Sequence, residues 1–173
     1  MGAELMSWTD FHRRREVADA VLRRAARDPR GPLPFAQVPG ARELFGTEEQ
    51  LVLSLQYRWS QVLGGHLRTE FESEPEDHVD AVTRAWHEAT RRNRTLRAVL
   101  DVATERHPAL RRVQEAEQRM LAVAAGLAEP GEPVEELTKV GAAFTALLRH
   151  GPELPAPRRN PLGQLLRMLA PTA

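Results

Sequence analysis

The sequence predicts an all-α protein: a bundle of five or six amphipathic helices, followed by a Pro-rich linker and a short C-terminal helix. Three observations predict it. Apolar residues recur at helical spacing in segment after segment, capping and breaking residues punctuate those segments, and most connections between them are short. We divide the chain into a helical bundle, residues 1–150, and a Pro-rich linker with an amphipathic segment, residues 151–173.

Ser7 or Thr9 is a candidate cap for a first helix running to about Arg27, with Phe11, Ala18, Leu22 and Ala25 along one face. Asp28 and Pro29 end it. The next stretch holds Pro29, Pro32, Pro34 and Pro39 with Gly31 and Gly40, so it is not regular helix. Leu33, Phe35, Val38, Leu44 and Phe45 give it apolar anchors, which suits a packed covering loop with a helical turn near Ala41 to Phe45.

Thr47 to Gln50 reads as a capping box for a second long helix carrying Val52, Leu55, Trp59 and Val62. Alternation from Leu51 to Tyr57 also suits a strand, but the helical pattern continues to Leu63 and decides for helix. Gly64 and Gly65 are the expected weak point or end. Ser73 to Glu76 reads as another capping box, opening a helix with Val79, Val82, Trp86 and Ala89 inward and ending near Asn93.

Thr95 restarts the pattern with Leu96, Val99, Leu100 and Ala103, and Pro108 breaks or kinks it. Leu110, Val113, Met120, Leu121, Ala124 and Leu127 carry the stripe onward. After the turn at Pro130 and Gly131, Leu137, Val140, Phe144 and Leu147 define the last face of the bundle, closed by Gly151 and Pro152.

Composition excludes several functions. The formal net charge is zero, so bulk electrostatics attracts neither nucleic acid nor an anionic membrane. With no cysteine there are no disulfides, thiolate metal sites or cysteine nucleophiles, which fits a reducing compartment. The first residues lack the features of a signal peptide, and no apolar run reaches the roughly 18 residues of a membrane span. The expected location is cytoplasmic. Lys139 is the only lysine among the 24 basic residues. We read that arginine bias as the codon usage of a GC-rich bacterial genome rather than as phosphate recognition.

No motif for catalysis or a cofactor is present. No histidine has an acidic residue three positions before it, as a di-iron bundle requires. His12 with Glu16 and His66 with Glu70 are isolated pairs, so no metal site is expected. There is no nucleophile elbow and no glycine-rich phosphate loop. The sequence therefore supports binding over catalysis, with no cofactor.

Three binding surfaces remain. Pro152, Pro155, Pro157 and Pro161 set apart a segment in which Leu162, Leu165, Leu166 and Leu169 fall on one helical face. Arg158, Arg159 and Arg167 make it basic. The primary expectation is a non-catalytic interaction or accessory protein that docks a protein partner, or a second copy, through this segment. A second reading is a small-ligand sensor or an enzyme with an interior site near Tyr57, Trp59, Trp86 and His87, against the simpler alternative of a solid aromatic core. A third is a nucleic-acid accessory protein. Between Arg84 and Arg112 arginine outnumbers Glu88, Asp101 and Glu105, and Arg91, Arg92, Arg94 and Arg97 cluster at a helix junction.

Overall fold

The computed structural model describes the backbone of residues 2–151 and the side chains of residues 8–151. Among these residues the protein is an all-helical bundle without strands: α1 Gly2–Ala25, α2 Ala41–Phe45, α3 Glu48–Phe71, α4 His78–Arg92, α5 Arg94–Arg106, α6 Pro108–Ala124 and α7 Val134–His150. Helix α3 is the centre of the bundle, packed against α2, α4, α5 and α6, while α6 and α7 lie along one another.

The reason is legible in α3 itself. Leu51, Val52, Leu55, Trp59, Leu63 and Leu67 are all buried and step along it at intervals of three and four after the Leu51–Val52 pair. Thr47 caps it, its hydroxyl accepting from the Gln50 N–H at 3.2 Å. The helix does not stop at Gly64 and Gly65 but continues through both to Phe71. Its burial on both sides of the glycines, at Leu63 and Leu67, outweighs their propensity cost of about 1 kcal/mol each.

That continuation changes the role of Ser73. Instead of opening α4 as a capping box, Ser73 donates its hydroxyl to the Glu70 carbonyl at 2.7 Å, in the last turn of α3, where its own N–H also donates at 3.3 Å. Glu74 then takes a left-handed φ of 47°, and α4 begins only after Asp77, whose carboxylate accepts from the Asp80 N–H at 3.0 Å.

The proline-rich connection is a packed cover, as its composition implied. Phe35, Val38, Ala41 and Phe45 are buried in the main core with Leu33 and Leu44 against it. The turn α2 lies between Gly40 (φ 82°) and Gly46 (φ 73°), two backbone conformations that favour glycine. At the other break, His107 is extended, as a residue before proline must be, and Pro108 occupies the first turn of α6.

Three predicted faces are rotated or shortened. Helix α1 begins before Ser7 and Thr9, so neither caps it, and Phe11 is 61% exposed. Among the described side chains of α1, Ala18, Val21 and Ala25 are the ones buried in the core, where the C-terminal half of that helix meets the described bundle. On α6 the buried positions are Leu110, Leu121 and Ala122, leaving Val113 and Met120 exposed, as is Leu127 beyond its end. On α7 they are Leu137, Gly141, Phe144, Thr145 and Leu148, which turns Leu147 outward. Gly141 causes that turn. It lets the α6 backbone approach so closely that a Cβ there would lie 2.4 Å from the Gln118 carbonyl oxygen.

Candidate functional site

Arg158, Arg159, Leu162, Leu165, Leu166, Arg167 and Leu169 lie outside the described residues. The other two sets of sequence-predicted residues meet in part. Trp86, His87, Arg91, Arg94 and Arg97 line one cleft of about 520 Å³ between α4, α5 and the end of α7. Arg30, Thr90, Asp101, Arg149 and His150 complete its polar lining. A neighbouring hollow of about 460 Å³ shares Arg30, Thr90, Arg94, Arg97 and Asp101, so the cleft runs on across α5.

Tyr57 and Trp59 are not part of it. Two positions apart on α3, they face opposite ways: Tyr57 is 67% exposed and Trp59 is fully buried in the core. Arg92 is also outside the cleft lining.

The junction that supplies the arginines is local. Asn93 ends α4, with its N–H and side-chain amide both donating to the Ala89 carbonyl at 3.1 and 3.0 Å. Helix α5 starts at the next residue with no side-chain cap and no acid in its first turn. Arg91 and Arg92 thus sit at a helix C-terminus, where the dipole favours cations, but Arg94 and Arg97 sit at the start of α5, where it does not. Arg30 is brought in by the turn after α1, closed by the Gly31 N–H on the Asp28 carbonyl at 3.1 Å.

Counting counter-ions separates these arginines. Arg91 and Arg92 both pair with Glu88, whose carboxyl is held below its ordinary range first by the Arg92 hydrogen bond and further by Arg91. Arg97 and Arg149 share Asp101, at 2.8 and 3.1 Å. Arg30 and Arg94 are exposed and have no carboxylate partner among the described residues.

Beneath the arginines lies an incompletely paired polar floor. His87 Nε2 is 2.9 Å from the Leu148 carbonyl, one of the free carbonyls at the end of α7. A carbonyl only accepts, so Nε2 carries a proton, and when the ring is neutral Nδ1 is an acceptor. That Nδ1 and the Thr90 hydroxyl oxygen, one turn further along α4, are both closed to solvent and have no hydrogen-bond partner. Such groups are few in folded proteins, and each costs about 1–3 kcal/mol if left unmatched.

Behind the cleft, Arg97 connects to a buried network that the sequence did not suggest. Its guanidinium lies 4.9 Å from the Trp59 ring centroid and 3.8 Å from the Glu117 carboxylate. Glu117 also accepts from Trp59 Nε1 at 3.0 Å and Gln56 Nε2 at 2.9 Å. Burial raises the Glu117 pKa above its ordinary 4.5; Arg97, Trp59 and Gln56 act in the opposite sense without cancelling it.

This has a definite sign for stability. The contribution of Glu117 is full below pH 4.5 and is lost as pH rises through the raised folded value, because only the unfolded chain ionises freely in that window. Glu117→Gln retains an acceptor for Trp59, and the Gln56 amide can rotate to match it. We expect the variant to lose that part of the decline in unfolding free energy as pH rises above 4.5, measured by urea denaturation. An unchanged pH profile would assign the decline to other groups.

Metal ligation has no comparable support: no group of three His, Asp or Glu residues suited to a metal occurs among the described residues. Glu70, half of one sequence pair, is engaged by Arg84 Nε at 3.0 Å. No described helix is long and apolar enough to cross a membrane.

Fold and cleft together define an all-helical bundle with a cationic cleft between α4, α5 and α7. No protein-family model, curated protein or solved structure matches the chain.

Proposed function

We propose that this protein is a non-catalytic, small-anion-binding helical bundle, and that the cleft between α4, α5 and α7 is its ligand site. The observation that carries the reading is the pairing of Arg30 and Arg94, which have no carboxylate partner among the described residues, with the unpartnered His87 Nδ1 and Thr90 hydroxyl in the same cleft. The volume, about 520 Å³, falls in the range of small-molecule sites.

This joins the ligand-pocket and arginine-cluster readings of the sequence in a narrower form. A nucleic-acid backbone is less well suited to these residues, because Arg91 and Arg92 are engaged by Glu88 and Arg97 is buried. Of those four arginines only Arg94 is free for an outside phosphate. Docking through residues 158–169 remains a separate proposal about a segment that is itself basic, and the cleft does not call for it.

Inorganic phosphate or pyrophosphate should raise the melting temperature. At one hundred times its Kd a ligand stabilises by about 2.7 kcal/mol, which is roughly 5–10 °C for a chain of this size. Arg30→Gln with Arg94→Gln should remove the shift while leaving the ligand-free melting temperature nearly unchanged, since both side chains are exposed. No shift with millimolar phosphate or pyrophosphate would overturn the proposal.

A further inference from the structure

We infer that the anion is a small hydroxylated phosphate monoester, of the polyol-phosphate or sugar-phosphate class. This rests on the reading of the cleft as an anion site and adds the chemical class of the ligand. Two features of the cleft specify it independently.

The first is charge. Once Asp101 and Glu88 are assigned to their arginines, Arg30 and Arg94 are the two cleft guanidiniums without a carboxylate. A phosphate monoester carries about −1.5 to −2 at neutral pH, whereas a simple carboxylate carries half of that or little more. Two free guanidiniums match the dianion, and their fork of donors fits its oxygens.

The second is the floor. His87 Nδ1 needs a donor, because the Leu148 carbonyl holds the ring proton on Nε2. The Thr90 hydroxyl can give its own proton and needs an acceptor. His87 and Thr90 are three residues apart on α4 and so stand on one helical face. A ligand hydroxyl serves both, donating to Nδ1 and accepting from Thr90 Oγ1. An ionised phosphate or carboxylate oxygen has no hydrogen for Nδ1 of the neutral ring, and with that form it satisfies Thr90 at most. Trp86, beside them in the wall, offers an apolar surface to the carbon skeleton between hydroxyl and phosphate.

Water has the same donor and acceptor ability, so the hydroxyl competes with it. Its advantage is the covalent tether, since the phosphate held by Arg30 and Arg94 presents the hydroxyl at high local concentration. Both floor atoms are closed to solvent in this structure, so the hydroxyl reaches them only with a side-chain movement at the cleft.

The test is calorimetric titration of the full chain with glycerol 3-phosphate, n-propyl phosphate, inorganic phosphate and glycerol. Propyl phosphate keeps the charge and carbon count but lacks the hydroxyls. We expect glycerol 3-phosphate to bind more tightly than propyl phosphate, by about three- to tenfold for each of the two hydrogen bonds its hydroxyl makes. Thr90→Val removes one of the two bonds and leaves the one to His87 Nδ1, so it should narrow the difference between the esters with propyl phosphate binding retained, which also reports an intact fold. Thr90→Ser should preserve the difference. Equal binding of both esters by the parent protein overturns the hydroxyl inference while leaving the anion site standing. Failure of every phosphate to bind overturns the anion site itself.

Discussion

Replacing Arg97 by alanine is expected to destabilise the protein by about 3–5 kcal/mol, the largest effect of any single change considered for the cleft. The cost has three parts. Glu117, whose side chain is only 8% exposed, loses the cation that offsets its desolvation. Asp101 is left to Arg149 alone. The guanidinium and its stem also vacate space against Trp59, where the core side chain has no exposure at all.

Removing both charges together discriminates between these parts. Arg97→Met with Glu117→Gln keeps the volume and leaves no uncompensated carboxylate, so it should recover much of the loss. The measurement is urea unfolding monitored by circular dichroism, with a fall in melting temperature of roughly 10 °C for Arg97→Ala as a second reading. A loss below 1 kcal/mol would mean that Glu117 is stabilised without Arg97, and the network would then be two independent pairs.

Gly141→Ala comes next. In an exposed helix interior the change would add about 1 kcal/mol through helix propensity. Here the new Cβ would stand 2.4 Å from the Gln118 oxygen, 2.5 Å from its carbonyl carbon and 3.0 Å from the Arg119 nitrogen. All three are backbone atoms of α6, which cannot rotate out of the way. The helices must separate along their whole contact, and overpacking of this kind costs about 1–3 kcal/mol, occasionally more. We expect a net destabilisation of about 2 kcal/mol at equilibrium. A neutral or stabilising result would show that α6 and α7 slide apart at no cost.

Because α7 also supplies the Leu148 carbonyl to His87, the same substitution bears on the cleft. Helix packing and ligand site are linked through one backbone oxygen, and the candidate site is therefore sensitive to a residue that does not line it.

Much of the candidate site was legible from sequence, though not as one site. His87 and the arginines from Arg91 to Arg97 stood out individually, by residue type and by the crowding of charge at a helix junction. Nothing in sequence spacing joins Arg30, at the far side of the proline-rich connection, to Arg94. Thr90 is an ordinary polar residue until its hydroxyl is found buried and unpartnered. Tyr57 and Trp59 were grouped by proximity in the chain, which a helix contradicts: residues two apart point to opposite sides.

Glu117 marks the limit most clearly. A rule that assigns carboxylates to solvent places Val113 and Met120 inward on α6, and both are exposed. The buried face instead contains Leu110, Glu117 and Leu121, at i, i+7 and i+11. That face is stable because Trp59, Gln56 and Arg97, from two other helices, meet the carboxylate there.

By itself the sequence determined the helical class, the central helix with its Thr47 cap, the break at Pro108 and the packed cover from Phe35 to Phe45. Each is set by interactions within a few residues: periodicity, capping and the backbone restrictions of proline and glycine. Only the tertiary structure decided which way α6 and α7 turn, where Glu117 finds its partners, and that Arg30, His87, Thr90 and Arg94 share one cleft. Those outcomes depend on atoms brought together from distant parts of the chain, where close packing and the pairing of buried polar groups override the preferences of any single helix.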